Sequence, residues 1–210
     1  MIVAVFGASS RTGRAFVQIA GEAGLLQRLH FRTATDAPSP DTATVVVGAL
    51  NDPTAVREVL RGAEAALILF GPKTPPGKVF CATATKAIIA GMRTQGVPRV
   101  ICVTGATVGE QSGSISLAMK LLSFGARRAG QDEIMQDRDA QERQIRNSKL
   151  KWTLVKPPRL TDEPGGELEA GPAVPVGIAS HCSRQALSRF LVKELMQPQY
   201  LDSAVYVKDR

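Results

Sequence analysis

A short glycine-containing segment directly after an apolar run is the feature that most constrains the fold. The run 2–6 has the composition of a buried strand, and a helix is predicted over 14–23. A glycine at the strand end allows a sharp turn, and a second glycine lets helix and strand approach closely. The unpaired N–H groups of the first helical turn favour an anion. A phosphate-binding turn is therefore predicted over Gly7-Ala8-Ser9-Ser10-Arg11-Thr12-Gly13.

Strands and helices alternate along the rest of the chain. Asp52 and Pro53 form a strong helix start, and Gly96 suits a helix end. This alternation is typical of a Rossmann-type, doubly wound α/β fold, with a mostly parallel sheet and helices on both faces. Because no linker or repeat interrupts the pattern, one domain is predicted over residues 1–210. Further strands are predicted over 29–32, 45–47, 65–70, 100–103, 152–155 and 205–207. Further helices are predicted over 53–60, 79–95 and 132–147, and a last helix that Ser183 caps runs to residue 196.

Two long segments break the alternation. Residues 105–130 are rich in glycine and serine and follow the predicted strand 100–103, while residues 157–175 are rich in proline and glycine and follow the strand 152–155. Open α/β sheets bind ligands beyond the carboxyl ends of their strands. The two segments are therefore interpreted as loops that wall an active site, and the alternative is that they are ordinary surface loops.

Charge and composition narrow the classes of partner. The formal net charge is +7, which raises the question of nucleic-acid binding, but aromatic residues make up only 5% of the chain and none alternate with basic residues. Single-strand binding needs such aromatics, so no nucleic-acid partner is predicted. The alternative is a solvated basic surface that attracts anionic cofactors and substrates.

The remaining bulk features point to the cytoplasm. No run is long and apolar enough to span a membrane and no secretory leader is recognisable, so no membrane partner is predicted. Cys81, Cys102 and Cys182 are too scattered for a zinc site or a disulfide framework. A reducing compartment without a bound metal is therefore expected. The oligomeric state is left open.

Two arginines indicate which dinucleotide the turn binds. A site for NAD typically has a carboxylate at the end of the second strand, where this chain has Arg32, and the first carboxylate after it is Asp36. Arg11 lies inside the turn. Two guanidinium groups can hold a 2′-phosphate through charge-assisted hydrogen bonds, so NADP(H) is predicted over NAD(H). The alternative is that both are exposed surface arginines.

A series of short sequence pieces, in order over nearly the whole chain, carries a family resemblance. The pieces are Val5-Phe6-Gly7-Ala8-Ser9 with Arg11-Thr12-Gly13, then Arg32, Val46-Val47-Gly48, Leu69-Phe70-Gly71, Cys102-Val103-Thr104, Glu142, Ile145-Arg146, Ser148, Leu150-Lys151-Trp152-Thr153, Pro157-Pro158, Leu160-Thr161-Asp162 and Ser183-Arg184. The chain resembles the NmrA-type atypical short-chain dehydrogenase/reductases, and among them the biliverdin reductase B (flavin reductase) group.

That resemblance implies roles for particular residues. The segment from Gly7 to Gly13 would hold the pyrophosphate, with Arg11 and Arg32 on the 2′-phosphate. The nicotinamide end would contact Phe70, Gly71, Thr104, Gly105, Pro157, Pro158 and Leu160. Four positions depart from the family pattern. Ser10 replaces the middle glycine of the turn, Ala49 replaces an acidic residue after the third strand, Gly105 replaces a serine near the nicotinamide, and Arg159 replaces a histidine.

The catalytic pair of ordinary short-chain dehydrogenases is missing. Ile134 and Arg138 stand where that pair has a tyrosine and a lysine, and both tyrosines of the chain lie near its C-terminus. Hydride transfer to a planar acceptor needs mainly proximity and orientation, and its proton can come from water. The resemblance implies that Thr104 and Gly105 lie at the reaction site, where Gly105 would leave room for a flat ring. Arg159 is predicted to pair with an anionic substituent of the acceptor, and the alternative is that it is an ordinary surface arginine.

The predicted function is an NADPH-dependent reductase of flavins, quinones or similar planar acceptors. The first alternative is a non-catalytic, NADP(H)-sensing regulatory protein of the NmrA type, and a cofactor-bound protein that binds a partner is also left open.

Overall fold

One eight-stranded sheet organises the chain in a computed structural model, which describes residues 1–33, 41–72, 80–110, 115–128 and 132–210. Its strands are β1 (Ile2–Phe6), β2 (Leu26–Phe31), β3 (Ala43–Val47), β4 (Ala65–Ile68), β5 (Arg99–Val103), β6 (Lys151–Lys156), β8 (Leu168–Gly171) and β10 (Ser203–Asp209). Strands β7 (Arg159–Thr161) and β9 (His181–Ser183) form a separate pair. The helices in the described residues are α1 (Arg11–Glu22), α2 (Pro53–Leu60), α3 (Cys81–Gln95), α4 (Leu117–Ala126), α5 (Asp132–Arg146) and α6 (Arg184–Met196).

The strand order confirms the predicted doubly wound, mostly parallel α/β fold. The order is β3-β2-β1-β4-β5-β6-β10-β8, and only the edge pair β10–β8 is antiparallel. The chain runs outward from β1 to β3 and then crosses back to β4 on the other side of β1. A crevice for ligands forms at such a reversal, beyond the carboxyl ends of β1 and β4.

Two apolar layers hold the helices on the sheet. One layer includes Phe16 and Val17 of α1 and Leu187 and Leu191 of α6. The opposite layer packs α2, α3 and α5 against the other face, with Ile145 of α5 fully buried. Each large apolar side chain buried in these layers contributes about 1.5–3 kcal/mol of transfer free energy.

Several boundaries differ from the sequence predictions because side chains cap the elements. Helix α1 begins at Arg11, before the predicted 14, because the Ser10 hydroxyl accepts a hydrogen bond from the N–H of Gly13 at 2.9 Å. Helix α3 begins at Cys81, where the Asp137 carboxylate accepts from the N–H groups of Phe80 and Cys81. The predicted start of that helix, residue 79, lies outside the described residues.

Strand ends also shift. Strand β2 begins at Leu26 and ends at Phe31, so Arg32 follows the strand and is not part of it. The strand predicted over 65–70 ends at Ile68, although the N–H of Leu69 still donates to the Phe6 carbonyl at 2.8 Å. Ser183 stands at the start of α6, but its hydroxyl donates to the Glu163 carbonyl and makes no cap.

The two segments predicted as loops contain regular structure, and that part of the prediction was wrong. Helix α4 lies within 105–130, capped by the Ser116 hydroxyl, which accepts from the N–H of Met119 at 3.3 Å. Strands β7 and β8 lie within 157–175, where β7 pairs with β9 and β8 pairs with β10. Their pairing partners are distant in sequence, so local composition did not indicate them.

All three thiols are reduced and buried. Burial raises the pKa of Cys81 to about 11 and that of Cys182 to about 12, and it raises the pKa of Cys102 still further. The described residues contain no cluster of histidine, cysteine and carboxylate groups that would hold a metal ion. None of the helices in the described ranges has both the length and the apolar character needed to cross a bilayer.

A buried histidine makes stability depend on pH. His30 on β2 is 5% exposed, packs against the Phe6 ring at 5.7 Å and hydrogen-bonds through Nε2 to the Gly48 carbonyl at 2.8 Å. Burial lowers the pKa of His30. Below about pH 6.5 the unfolded chain therefore binds a proton that the folded protein resists, and stability falls as pH falls.

We expect His30→Gln to reduce this acid sensitivity, because glutamine is never charged and its amide can still donate to Gly48. Urea unfolding of the unmodified protein and of His30→Gln, at about pH 7 and about pH 5.5, measures how much stability each protein loses in acid. An equal loss of unfolding free energy in both proteins would show that other groups cause the acid sensitivity.

Candidate active site

The glycine turn after β1 is shaped by two close backbone contacts. Gly7 has φ +95°, and a Cβ added there would lie 2.6 Å from the amide nitrogen of Phe70. A Cβ added at Gly13 would overlap the Gly7 carbonyl oxygen and lie 2.8 Å from Cα of Ala8. Only glycine fits at either position, as the sequence predicted. The start of α1 is thereby held against the ends of β1 and β4.

The Ser10 hydroxyl is already used inside the protein. It accepts from the Gly13 N–H and donates to the Leu69 carbonyl at 3.2 Å, so its hydrogen is committed to the β4 end. This serine joins the turn to β4, a role that the sequence did not indicate. Ala8 and Thr12 are buried and Ser9 is exposed. The Gly13 N–H is used by the Ser10 cap, and the other N–H groups of the first turn, those of Arg11 and Thr12, have no acceptor within the helix and suit an anion.

The two predicted phosphate-binding arginines have different surroundings. Arg11 is 76% exposed and pairs with the Asp162 carboxylate at 3.2 Å. The same carboxylate holds Arg184, at the start of α6, at 2.6 Å. Arg32 is exposed and makes no ion pair within the described residues. The contact between Arg11 and Asp162 was not predicted from the sequence, because the two residues are 151 positions apart.

A buried arginine lies beside the predicted nicotinamide-ribose segment. Arg138 of α5 is 7% exposed and donates from Nη1 to the Phe70 carbonyl at 3.2 Å. A Cβ added at Gly71 would lie 3.5 Å from the same nitrogen. Arg138 thus brings a positive charge from α5 to the β4 end.

The ends of β5 and β6 lie side by side. The N–H of Thr104 donates to the Val155 carbonyl and that of Ala106 donates to the Pro157 carbonyl, both at 2.9 Å. Thr104, Gly105 and Pro157 are therefore neighbours along one edge of the sheet. Pro157 is buried and Pro158 is half-buried. The sheet order is β1-β4-β5-β6. The four predicted site segments, which follow these four strands, therefore lie side by side along the same edge of the sheet.

Leu160 and Arg159 alternate on β7. The Leu160 side chain packs against the core layer that contains α1 and α6, whereas Arg159 is exposed, opposite His181 of β9 in the strand register. Gly105 is half-buried, and an added Cβ would lie 3.4 Å from Cγ2 of Val108. Among the residues predicted at the nicotinamide end, Arg159 is therefore the charged one, and its side chain is exposed to solvent.

A buried charge network lies behind Thr104. The Thr104 hydroxyl donates to Oε1 of Glu142 at 2.6 Å, and Nζ of Lys156 donates to Oε2 of Glu142 at 3.2 Å. Lys156 also donates to the carbonyls of Val108 and Glu110, the latter at 3.0 Å. The exposed fractions are 9% for Thr104, 1% for Glu142 and 0% for Lys156.

Opposing effects act on the pKa of the Glu142 carboxyl group. Burial raises its pKa, and the charge of Lys156, the hydrogen bond from Thr104 and the charge of Arg146 oppose that rise. A lone buried charge is very costly, whereas a pair with further hydrogen bonds is tolerated. Glu142 was singled out in the sequence only as a family match, and Lys156 was missed because it ends an apolar strand.

A family model described as NAD(P)H-binding matches residues 7–198. The chain belongs to the NAD(P)H-binding family. Solved structures agree with this family in fold. A short-chain dehydrogenase/reductase from Veillonella parvula in complex with NADP is 17% identical, with a TM-score of 0.81, over 98% of this chain and 93% of that one.

Two further structures of similar fold are reductases by name. A protein from Streptococcus pneumoniae assigned as an NADH-flavin reductase is 17% identical, with a TM-score of 0.80, over 100% of both chains. An anaerobilin reductase from Escherichia coli O157:H7 is 16% identical, with a TM-score of 0.79, over 100% of this chain and 97% of that one.

The turn fits the nicotinamide dinucleotide that the family binds. A Cβ at Gly7 or Gly13 would overlap the backbone between strand and helix, and this close approach is the one that a dinucleotide-binding turn needs.

Gly13→Ala is expected to abolish dinucleotide binding, because the added methyl group forces α1 away from the Gly7 carbonyl. The overpacking should also cost roughly 1–3 kcal/mol of stability. Calorimetric titration with NADPH and NADH measures the loss of binding. Unfolding followed by circular dichroism measures the loss of stability and verifies that the variant is folded. Gly125→Ala is the matched control, since an added Cβ there meets open space on α4. Retained affinity in a folded Gly13→Ala protein would mean that the cofactor binds elsewhere.

Proposed function

We propose that the protein is an NADPH-dependent reductase that delivers a hydride to a planar acceptor such as a flavin or a quinone, and that it is of the NmrA or biliverdin reductase B type. The observation that carries this proposal is a dinucleotide turn without a tyrosine acid beside it. The Tyr200 hydroxyl donates to the Ala170 carbonyl and Tyr206 is buried in β10, so neither lies at the β4–β5 edge. Carbonyl reduction by the usual tyrosine is therefore disfavoured.

Orientation would account for most of the catalysis. When bound, the reduced nicotinamide supplies the hydride, and the chain's own residues would align it. The backbone of Phe70 and Gly71 would contact the ribose, Thr104 and Gly105 would lie under the ring, and Pro157, Pro158 and Leu160 would form the adjacent wall. Aligning two reactants in this way can remove about 7 kcal/mol or more of the barrier.

The exposed Arg159 supports an acceptor that carries an anionic group. A guanidinium group pairs well with a carboxylate or a phosphate, and Arg159 has no ion pair within the described residues. The names of the Streptococcus and Escherichia proteins, a flavin reductase and an anaerobilin reductase, also support a reductase. The three free thiols support the reducing cytoplasm as its compartment.

One observation favours the NADP(H)-sensing alternative. The Thr104 hydroxyl is occupied by Glu142 at 2.6 Å, so no hydroxyl group at the β5 end is plainly free to serve an acceptor. A sensor would bind the dinucleotide at the same turn and would need no acceptor site.

Turnover separates the two functions. We expect NADPH oxidation, followed by its absorbance, to proceed with FMN or a small quinone at a rate proportional to protein concentration. The Gly13→Ala protein, which has lost the dinucleotide site, is the blank. Tight NADP binding without turnover across a panel of flavins and quinones would establish the sensor instead.

The choice between NADP and NAD would depend on Arg11 and Arg32. Both side chains are exposed, and Arg32 follows β2, where a carboxylate would repel a 2′-phosphate. Arg11 would have to exchange Asp162 for that phosphate. This exchange is cheap, because an exposed ion pair contributes about 1 kcal/mol or less.

Arg32→Ala is expected to weaken NADPH binding by about 1.5–3 kcal/mol, because a charge-assisted hydrogen bond to the 2′-phosphate is lost. NADH binding should change little. Calorimetric titration with both cofactors measures the difference, and Arg57→Ala on the exposed side of α2 is the control. Equal affinities of the unmodified protein for NADPH and NADH would contradict the proposed role.

A further inference from the structure

Helix α4 carries its large apolar side chains on the outside of the protein. The exposed ones are Leu117 (73%), Leu121 (63%), Leu122 (62%) and Phe124 (54%). On the inner side Ser123 is buried, and Met119 packs against a small apolar cluster of Ala106, Ile115, Val174, Val176 and Tyr206. A surface helix of a monomeric protein has the opposite arrangement, with its apolar stripe toward the core.

A second segment extends this exposed surface. The N–H of Ser116 donates to the Val176 carbonyl at 3.0 Å, and a Cβ added at Gly177 would lie 3.9 Å from Oγ of Ser116. Ile178 therefore lies beside the start of α4, and its side chain is 60% exposed. We call the five exposed side chains the α4 face, which consists of Leu117, Leu121, Leu122, Phe124 and Ile178.

The α4 face is large, and the helix that carries it is short. With about 200 Å² for each large apolar side chain, the α4 face exposes on the order of 600 Å², the upper end of what a monomer shows. The helix has ten residues, and an isolated helix shorter than about 12–15 residues is marginal in water. Within the described residues, nothing covers the α4 face. A partner that covered it would stabilise both the helix and the apolar surface.

The charges beside the α4 face do not select a charged partner. Arg127 lies 2.8 Å from the Asp139 carboxylate and 3.8 Å from that of Asp132, and the Arg128 guanidinium lies 4.7 Å from the centre of the Phe124 ring. An amphipathic helix binds an anionic bilayer through an excess of lysine and arginine around its apolar residues. Because carboxylates of α5 offset the bases here, the partner that fits is an apolar surface.

We propose that a second copy of this chain covers the α4 face, with the two α4 helices paired antiparallel about a two-fold axis. The middle of α4 falls between Leu121 and Leu122, so a two-fold axis there sets each leucine against the other one in the second copy. Pairing would remove on the order of 1,000 Å² from water, which is the size that a specific interface needs. This proposal is independent of the reductase function.

The mass of the protein in solution tests the pairing. Sedimentation equilibrium in the micromolar range should give twice the chain mass of 22.4 kDa. The double variant Leu117→Gln/Leu121→Gln should raise the dissociation constant on the order of 100-fold or more, because both side chains lose their burial. Leucine and glutamine have similar helix propensities, so the substitutions act on the interface. Met196→Gln, at an exposed apolar residue that ends α6, is the matched control and should remain dimeric.

Cross-linking tests where the two copies meet. The three native thiols are buried, so a cysteine placed on the surface is the accessible one. We expect a short bismaleimide to join two copies of Leu121→Cys or of Leu122→Cys in high yield. The Met196→Cys protein should stay uncross-linked under the same conditions.

Three results would overturn the pairing. A monomeric mass at every concentration would exclude the second copy. A dimer that persists unchanged in the double variant would use another face. Binding of the unmodified protein to phosphatidylglycerol vesicles as a monomer, lost in the double variant, would make a bilayer the partner. Circular dichroism of each variant verifies that a lost dimer does not reflect an unfolded chain.

Discussion

The cost of burying the Lys156 ammonium group determines how the site is built. A lysine without solvent contact is tolerated only if its donors are satisfied, and Lys156 finds Glu142 and two backbone carbonyls. Those acceptors belong to α5 and to the segment after β5. The Lys156 side chain of β6 therefore holds α5 and the segment after β5 together at the same edge of the sheet. Removing either charge would leave the other unpaired in the interior, so the two residues act as a unit.

The geometry of the glycine turn after β1 is the part of the candidate site that the sequence predicted best. This geometry depends on residues close in sequence, because Gly7, Ser10 and Gly13 contact one another across a single turn. Alternating apolar strands and helices were likewise enough to predict the parallel sheet. The start of α1 was misplaced because the cap made by the Ser10 hydroxyl was not recognised in the sequence.

The remaining contacts of the site join residues far apart in sequence. Arg138 meets the Phe70 carbonyl 68 positions away, and Thr104 meets Glu142 across 38. Nothing in the residue types alone pairs them, since charged residues occur on every helix surface.

Helix α4 was missed because of its local composition. Its serine- and glycine-rich flanks outweighed the apolar residues between them, although Leu117 and Leu121 remain exposed in the folded protein.

The buried thiols have a chemical consequence. Only a thiolate is oxidised readily, and a pKa of about 11 leaves roughly one part in ten thousand of Cys81 in that form at neutral pH. Cys182 and Cys102 are shielded still more strongly. We therefore expect the folded chain to react slowly with peroxide and with disulfides at all three positions, and to become reactive there only when it unfolds.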